Sequence, residues 1–223
     1  MSNDFLNAYF IKKKKVFLRG LFFLTLIFSV FAVLQIFFSE KSDFVAKISI
    51  EKIIVNNSDL LKKISSFEKD SNLKALLVSV NSPGGTVVSS EELYKKIKKI
   101  SNKVPVAISM KEVAASGGYM ISLAGDRIFC YDGTITGSIG VILQTANIQE
   151  LLNKVGIDPI IYKSGDLKAV PNPFESTTTE SKKLIESIVK DMHQQFLDLV
   201  IQEREISEND MISVSDGRIF TGR

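Results

Sequence analysis

The chain has 223 residues, 28 Lys and Arg against 25 Asp and Glu, a formal net charge of +3, one cysteine and one histidine. A single cysteine excludes an internal disulfide, and one cysteine with one histidine excludes the usual zinc sites, so no metal is expected. A charge so near balance gives no reason to expect a nucleic-acid partner.

Residues 1–19 are basic at their end, with Lys12, Lys13, Lys14, Lys15 and Arg19. Gly20 to Phe38 follows as an apolar run interrupted only by Thr25, Ser29 and Gln35, close to the roughly 20 residues that a spanning helix needs. No small-x-small cleavage site follows it, and it exceeds the 7–15 residues typical of a secretory core, so an uncleaved anchor is expected. Because the basic flank precedes the span, while Glu40, Lys41 and Asp43 follow it, the positive side should stay in the cytoplasm. The expected organisation is a cytoplasmic segment 1–19, a single-pass inner-membrane anchor 20–38, a linker 39–43 and a catalytic domain 44–223 on the periplasmic or extracytoplasmic side.

That domain has about 180 residues, enough to bury a core without covalent staples. Strands are predicted at Phe44–Ile50, Lys74–Val80, Val104–Met110, Arg127–Tyr131 and Ile157–Tyr162. Helices are predicted at Asp59–Lys69, Ser90–Asn102, Gly117–Ala124, Asn147–Val155 and Thr179–Arg204. Such alternation makes an α/β fold of βαβ units around a largely parallel sheet. Ser89-Ser90-Glu91-Glu92 carries a capping-box pattern, and the helix after it turns Leu93, Ile97 and Ile100 inward. Cys130, within a predicted strand, reads as a buried thiol. The last helix carries Leu184, Ile188, Met192, Phe196, Leu199 and Val200 at helical spacing, a stripe suited to core or subunit contact. His193, on the same helix and far from any glycine-rich loop, reads as an ordinary helix residue.

Ser116 carries the chemistry. Ala114-Ala115-Ser116-Gly117-Gly118-Tyr119 sets a serine among small residues where an apolar strand gives way to a helix, the place where open α/β folds put a nucleophile. A bland turn would use the same residues. With no histidine near a glycine-rich loop, a nucleophilic serine needs another base, and a desolvated lysine is the known substitute. Lys168, after the Ile157–Tyr162 run and ahead of Pro171 and Pro173, is such a candidate, with Lys163 the competing one. Asn81-Ser82-Pro83-Gly84-Gly85-Thr86 ends another strand and leaves backbone N–H groups open for an oxyanion. A phosphate cradle is disfavoured there, because neither Gly-Lys-Ser/Thr nor Gly-x-Gly-x-x-Gly occurs, and no cofactor is expected.

These motifs, with Gly133-Thr134-Ile135-Thr136-Gly137-Ser138-Ile139-Gly140-Val141, Lys163-Ser164-Gly165 and Asp216-Gly217-Arg218-Ile219-Phe220-Thr221-Gly222, resemble the short form of the signal peptide peptidase A family over Phe44 to Arg223. The resemblance implies a fold like that of the ClpP and crotonase superfamily and a membrane-anchored Ser/Lys endopeptidase. It implies Ser116 as nucleophile, Lys168 as general base, Ser138 as the hydroxyl that orients the lysine, and Gly85 and Gly117 as oxyanion donors. It also implies released signal peptides or other extended apolar peptides as substrates, and a ring- or dome-shaped homo-oligomer. The chain departs from the family in having Ala169 after the base, in lacking a glycine after the first strand, and in ending at Arg223 where relatives continue, so it reads as C-terminally truncated. The alternatives are a catalytically silent membrane scaffold that binds peptides or partner proteases, and, more remotely, an acyl-CoA enzyme. Covalent labelling of Ser116 separates the first of these from a hydrolase.

Overall fold

The computed structural model describes residues 3–37, 42–207, 210 and 212–223. It divides into two compact units, Met1–Ser42 and Asp43–Arg223. The first contains helix α1 (Asn3–Phe37). Large apolar side chains are exposed along it, including Phe17, Phe22, Leu24, Ile27 and Phe28. Two of its hydroxyls are satisfied inside the helix, Thr25 donating to the Phe22 carbonyl and Ser29 to the Leu26 carbonyl, each at 2.9 Å. Phe38, the last residue of the predicted anchor, lies outside the described residues, as do the side chains at 32, 33 and 35–37. Among the described residues no helix is long and apolar enough to cross a membrane.

The second unit is an α/β domain. Its strands are β1 (Phe44–Glu51), β2 (Leu73–Ser82), β3 (Val106–Ala115), β4 (Arg127–Phe129), β5 (Ile135–Gly137) and β6 (Ile219–Thr221). Its helices are α2 (Ser58–Lys69), α3 (Val87–Ser101), α4 (Gly117–Ser122), α5 (Gln149–Lys154) and α6 (Thr179–Arg204). The sheet runs β1-β2-β3-β5-β6, with β4 also paired to β3. All pairings are parallel except β5 with β6. Register follows the apolar alternation, setting Ile48 opposite Val78 and Val78 opposite Ile108. These pack with Ile64 of α2, Leu93 and Ile97 of α3, Ile121 of α4, and Phe196 and Val200 of α6 in one core. Strand period two and helix period 3.6 thus point their apolar positions at a common layer.

The structure revises several expected boundaries. β3 does not stop at Met110 but runs to Ala115, carrying the chain directly to Ser116. α3 begins at Val87, so Thr86 is its N-cap and the Ser89–Glu92 pattern lies inside the helix, where the Ser90 hydroxyl donates to the Thr86 carbonyl. Ile157 to Tyr162 is not a strand. It joins no sheet, and Ile157, Ile160 and Tyr162 are exposed, because an apolar run becomes a strand only where an edge is available to pair with it. Cys130 is exposed, since β4 ends one residue before it.

Candidate active site

Ser116 sits between the end of β3 and the start of α4 with φ 53° and ψ −119°. A non-glycine residue held at positive φ persists only where its surroundings over-determine it. Here the Ser116 N–H donates to the Gly137 carbonyl (2.9 Å) and the Ser116 carbonyl accepts from the Met120 N–H (2.9 Å). The serine is thus pinned on both sides of its Cα while its hydroxyl makes no hydrogen bond among the described residues.

The Asn81–Thr86 turn packs against it. Gly84 has φ 107°, and a Cβ there would lie 2.8 Å from the Gly117 nitrogen and 2.9 Å from the Ser116 Cβ. The buried Ser82 hydroxyl accepts from the Gly84 N–H (3.1 Å) and donates to the Lys52 carbonyl. Ile54 clamps the turn from outside, its N–H donating to the Gly84 carbonyl (2.9 Å) and its carbonyl accepting from the Thr86 N–H (3.0 Å). These bonds use up the polar groups around Gly85 but leave its own N–H, like that of Gly117, without a protein acceptor among the described residues. The two groups are neighbours, since a Cβ on Gly117 would come within 3.3 Å of the Gly85 nitrogen. Two free amides beside a hydroxyl are the donors that a tetrahedral oxyanion requires.

Gly85 is also fixed sterically, because a Cβ there would overlap the Ile54 carbonyl. Gly85→Ala should therefore push the turn away from Ser116. With one oxyanion donor displaced, turnover of a reporter peptide should drop about 100- to 1,000-fold. Wild-type turnover in a folded variant would exclude the Gly85 amide from the site.

Ser138 reaches the same place by the loop after β5. Gly137 and Ser138 both have positive φ, 79° and 52°, and the Ser138 N–H donates to the Arg218 carbonyl (2.8 Å). Ser116, Ser138, Pro83, His193 and Asp216 line one cavity of about 630 Å³. The Arg218 guanidinium grips both Asp216 oxygens (2.6–2.9 Å), which lowers the Asp216 carboxyl to about 2. Asp216 therefore enters the cavity ionised and already paired at any pH above that value.

Neither candidate lysine lines this cavity. Lys168 is exposed on a turn closed by its own N–H to the Gly165 carbonyl (3.0 Å). Lys163 is bound to Glu175 (2.7 Å), and that hydrogen bond, with a second from Asn172, holds the Glu175 carboxyl below its usual range. The structure thus brings together Ser116, Ser138, Gly85 and Gly117 and leaves Lys168 and Lys163 elsewhere on the chain. Two further cavity residues, His193 and Asp216, carry no role in the expected site. His193 had a signal, lying three and seven residues before the buried Phe196 and Val200 on one stripe of α6.

The model of peptidase family S49 matches residues 98–223, and that of the Clp protease family matches residues 38–132. A protein of Enterococcus faecium provisionally named signal peptide peptidase SppA is 37% identical over 168 residues, covering 75% of this chain and 49% of its own length. A provisionally named protease of Synechocystis is 36% identical over 181 residues, covering 80% of this chain and 65% of its own length. The chain thus spans about half to two thirds of these relatives. A point mutant of ClpP1 from Listeria monocytogenes superposes with a TM-score of 0.52 over 78% of this chain and 80% of its own, at 17% identity, a likeness of fold.

Proposed function

This chain belongs to peptidase family S49, and we propose that it is a membrane-anchored serine endopeptidase acting on extended apolar peptides, released signal peptides among them. The observation that carries this reading is the convergence of a strained serine with two unpaired backbone amides on separate turns. Ser116 Oγ attacks the scissile carbonyl carbon while its proton passes to a neutral lysine amine. The carbonyl oxygen, now an oxyanion, accepts from the Gly85 and Gly117 N–H groups. Collapse of the tetrahedral species breaks the C–N bond, and the lysine returns the proton to the departing amine. Water, activated by the same amine, then hydrolyses the acyl-enzyme.

We assign the base to Lys168, delivered by a second copy of the chain in a homo-oligomer, with the Ser138 hydroxyl orienting the amine. The support is the segment that carries it. Ile160 and Tyr162, just ahead of it, are 77% and 92% exposed, bare apolar side chains that a neighbouring subunit would cover. The anchor reading rests on α1, whose exposed apolar side chains and internally bonded hydroxyls suit a hydrocarbon environment. The domain from Phe44 onward would then lie on the periplasmic or extracytoplasmic side.

That Lys168 does not line the Ser116 cavity favours one other reading, a scaffold of the same fold that binds peptides without cutting them. A fluorophosphonate probe separates the two. The peptidase reading requires a covalent adduct mapped to Ser116 in the full chain. A folded, assembled chain that stays unlabelled and leaves an apolar fluorogenic peptide intact would support the scaffold.

A further inference from the structure

Ile139, next to Ser138, is buried, and its carbonyl lies 3.2 Å from His193 Nε2 on α6, across 54 residues of sequence. A carbonyl oxygen only accepts, so Nε2 carries the hydrogen in this contact. The bond is one of three that hold the loop after β5. The Gly137 carbonyl is held by the Ser116 N–H, the Ser138 N–H holds the Arg218 carbonyl, and the Ile139 carbonyl is held by His193. Three successive residues are thus tied to three different parts of the fold, two of them at positive φ. From Gly140 to Ala146 the chain has no regular structure, and the next tether is Asn147, which donates to the Glu175 carbonyl (3.2 Å). His193 also borders the cavity that contains the serine.

We propose that His193 is a positioning residue of the Ser116 site, donating through Nε2–H to the Ile139 carbonyl and thereby fixing the loop that presents Ser138 and receives the Ser116 N–H. The inference rests on the reading of Ser116 as nucleophile. It assigns the imidazole no proton transfer, because the nitrogen in contact is a donor to backbone. Its effect on chemistry is indirect. Released from Ile139, the loop can turn about Gly137, and the carbonyl that orients the Ser116 peptide turns with it.

His193→Leu removes the donor and keeps comparable bulk, while His193→Gln keeps an N–H donor at a similar reach. In the full chain in detergent, His193→Leu should speed amide hydrogen exchange in the 136–147 segment by about tenfold or more. The same variant should slow fluorophosphonate labelling of Ser116 and lower kcat by about tenfold, with KM within about twofold. His193→Gln should recover most of both losses. Loop exchange unchanged in the Leu variant, or a Gln variant as defective as the Leu one, would overturn the proposal. A labelled wild-type chain with an equally labelled and equally protected Leu variant refutes the role of His193 alone. A wild-type chain never labelled at Ser116 refutes the nucleophile on which that role depends.

Discussion

Ser116→Ala should lower kcat on an apolar fluorogenic peptide by about 10⁴-fold or more while leaving the folded protein nearly as stable as before. The rate loss follows from chemistry, since without the hydroxyl there is no acyl-enzyme and the oxyanion donors alone supply only a residual rate over water. The stability result follows from geometry. The Ser116 hydroxyl holds no hydrogen bond among the described residues, and the bonds that fix the residue, to Gly137 and Met120, are made by its backbone. Alanine keeps the Cβ, so the positive φ is neither relieved nor worsened. A thermal midpoint within a few degrees of wild type, together with lost turnover, would separate a chemical from a structural role. Undiminished turnover in the purified variant would remove Ser116 from the mechanism.

Lys168→Ala should cost about 10³- to 10⁴-fold in kcat, the range expected when a general base and proton shuttle is lost. Lys168→Arg should fare no better, because a guanidinium stays protonated and cannot accept the serine proton. Neither change should disturb the fold of one chain, since exposed side chains away from special features are worth within about 0.5 kcal/mol. Lys163 provides the contrast. Its amine is bound to Glu175, outside the Ser116 cavity, so Lys163→Ala should loosen the local turn and keep most of the turnover. Inactivity of the Lys163 variant beside an active Lys168 variant would reverse the assignment.

Much of the domain could be read from one sequence because period-two apolar runs ending in glycine-rich turns are a strong signal. β1 and β2 lie where the apolar runs put them and β3 runs five residues further, and Ser116 and Gly85 meet because parallel strands end on the same side of a sheet. β4 falls within the predicted Arg127–Tyr131 run, but β5 and β6 carry no such signal. β5 and β6 have three residues each, too few for alternation to register, yet they complete the edge on which Gly137 and Ser138 sit. Ile157 to Tyr162 has the composition of a strand but no pairing partner among the described residues. His193 lies far from the glycine-rich turns in sequence. Its place on the stripe with Phe196 and Val200 brings it to the loop all the same. The proposed base is the remaining gap, because a lysine supplied by a second copy, as proposed, would leave no intrachain trace.

That assembly can be measured by mixing Ser116→Ala and Lys168→Ala chains, each inactive alone, under conditions that let subunits exchange. If Lys168 of one copy serves Ser116 of another, random mixing should restore roughly a quarter of wild-type turnover, because half the sites draw an intact serine and half of those an intact lysine. Mixed oligomers that form but remain as inactive as their parents would contradict a site shared between copies.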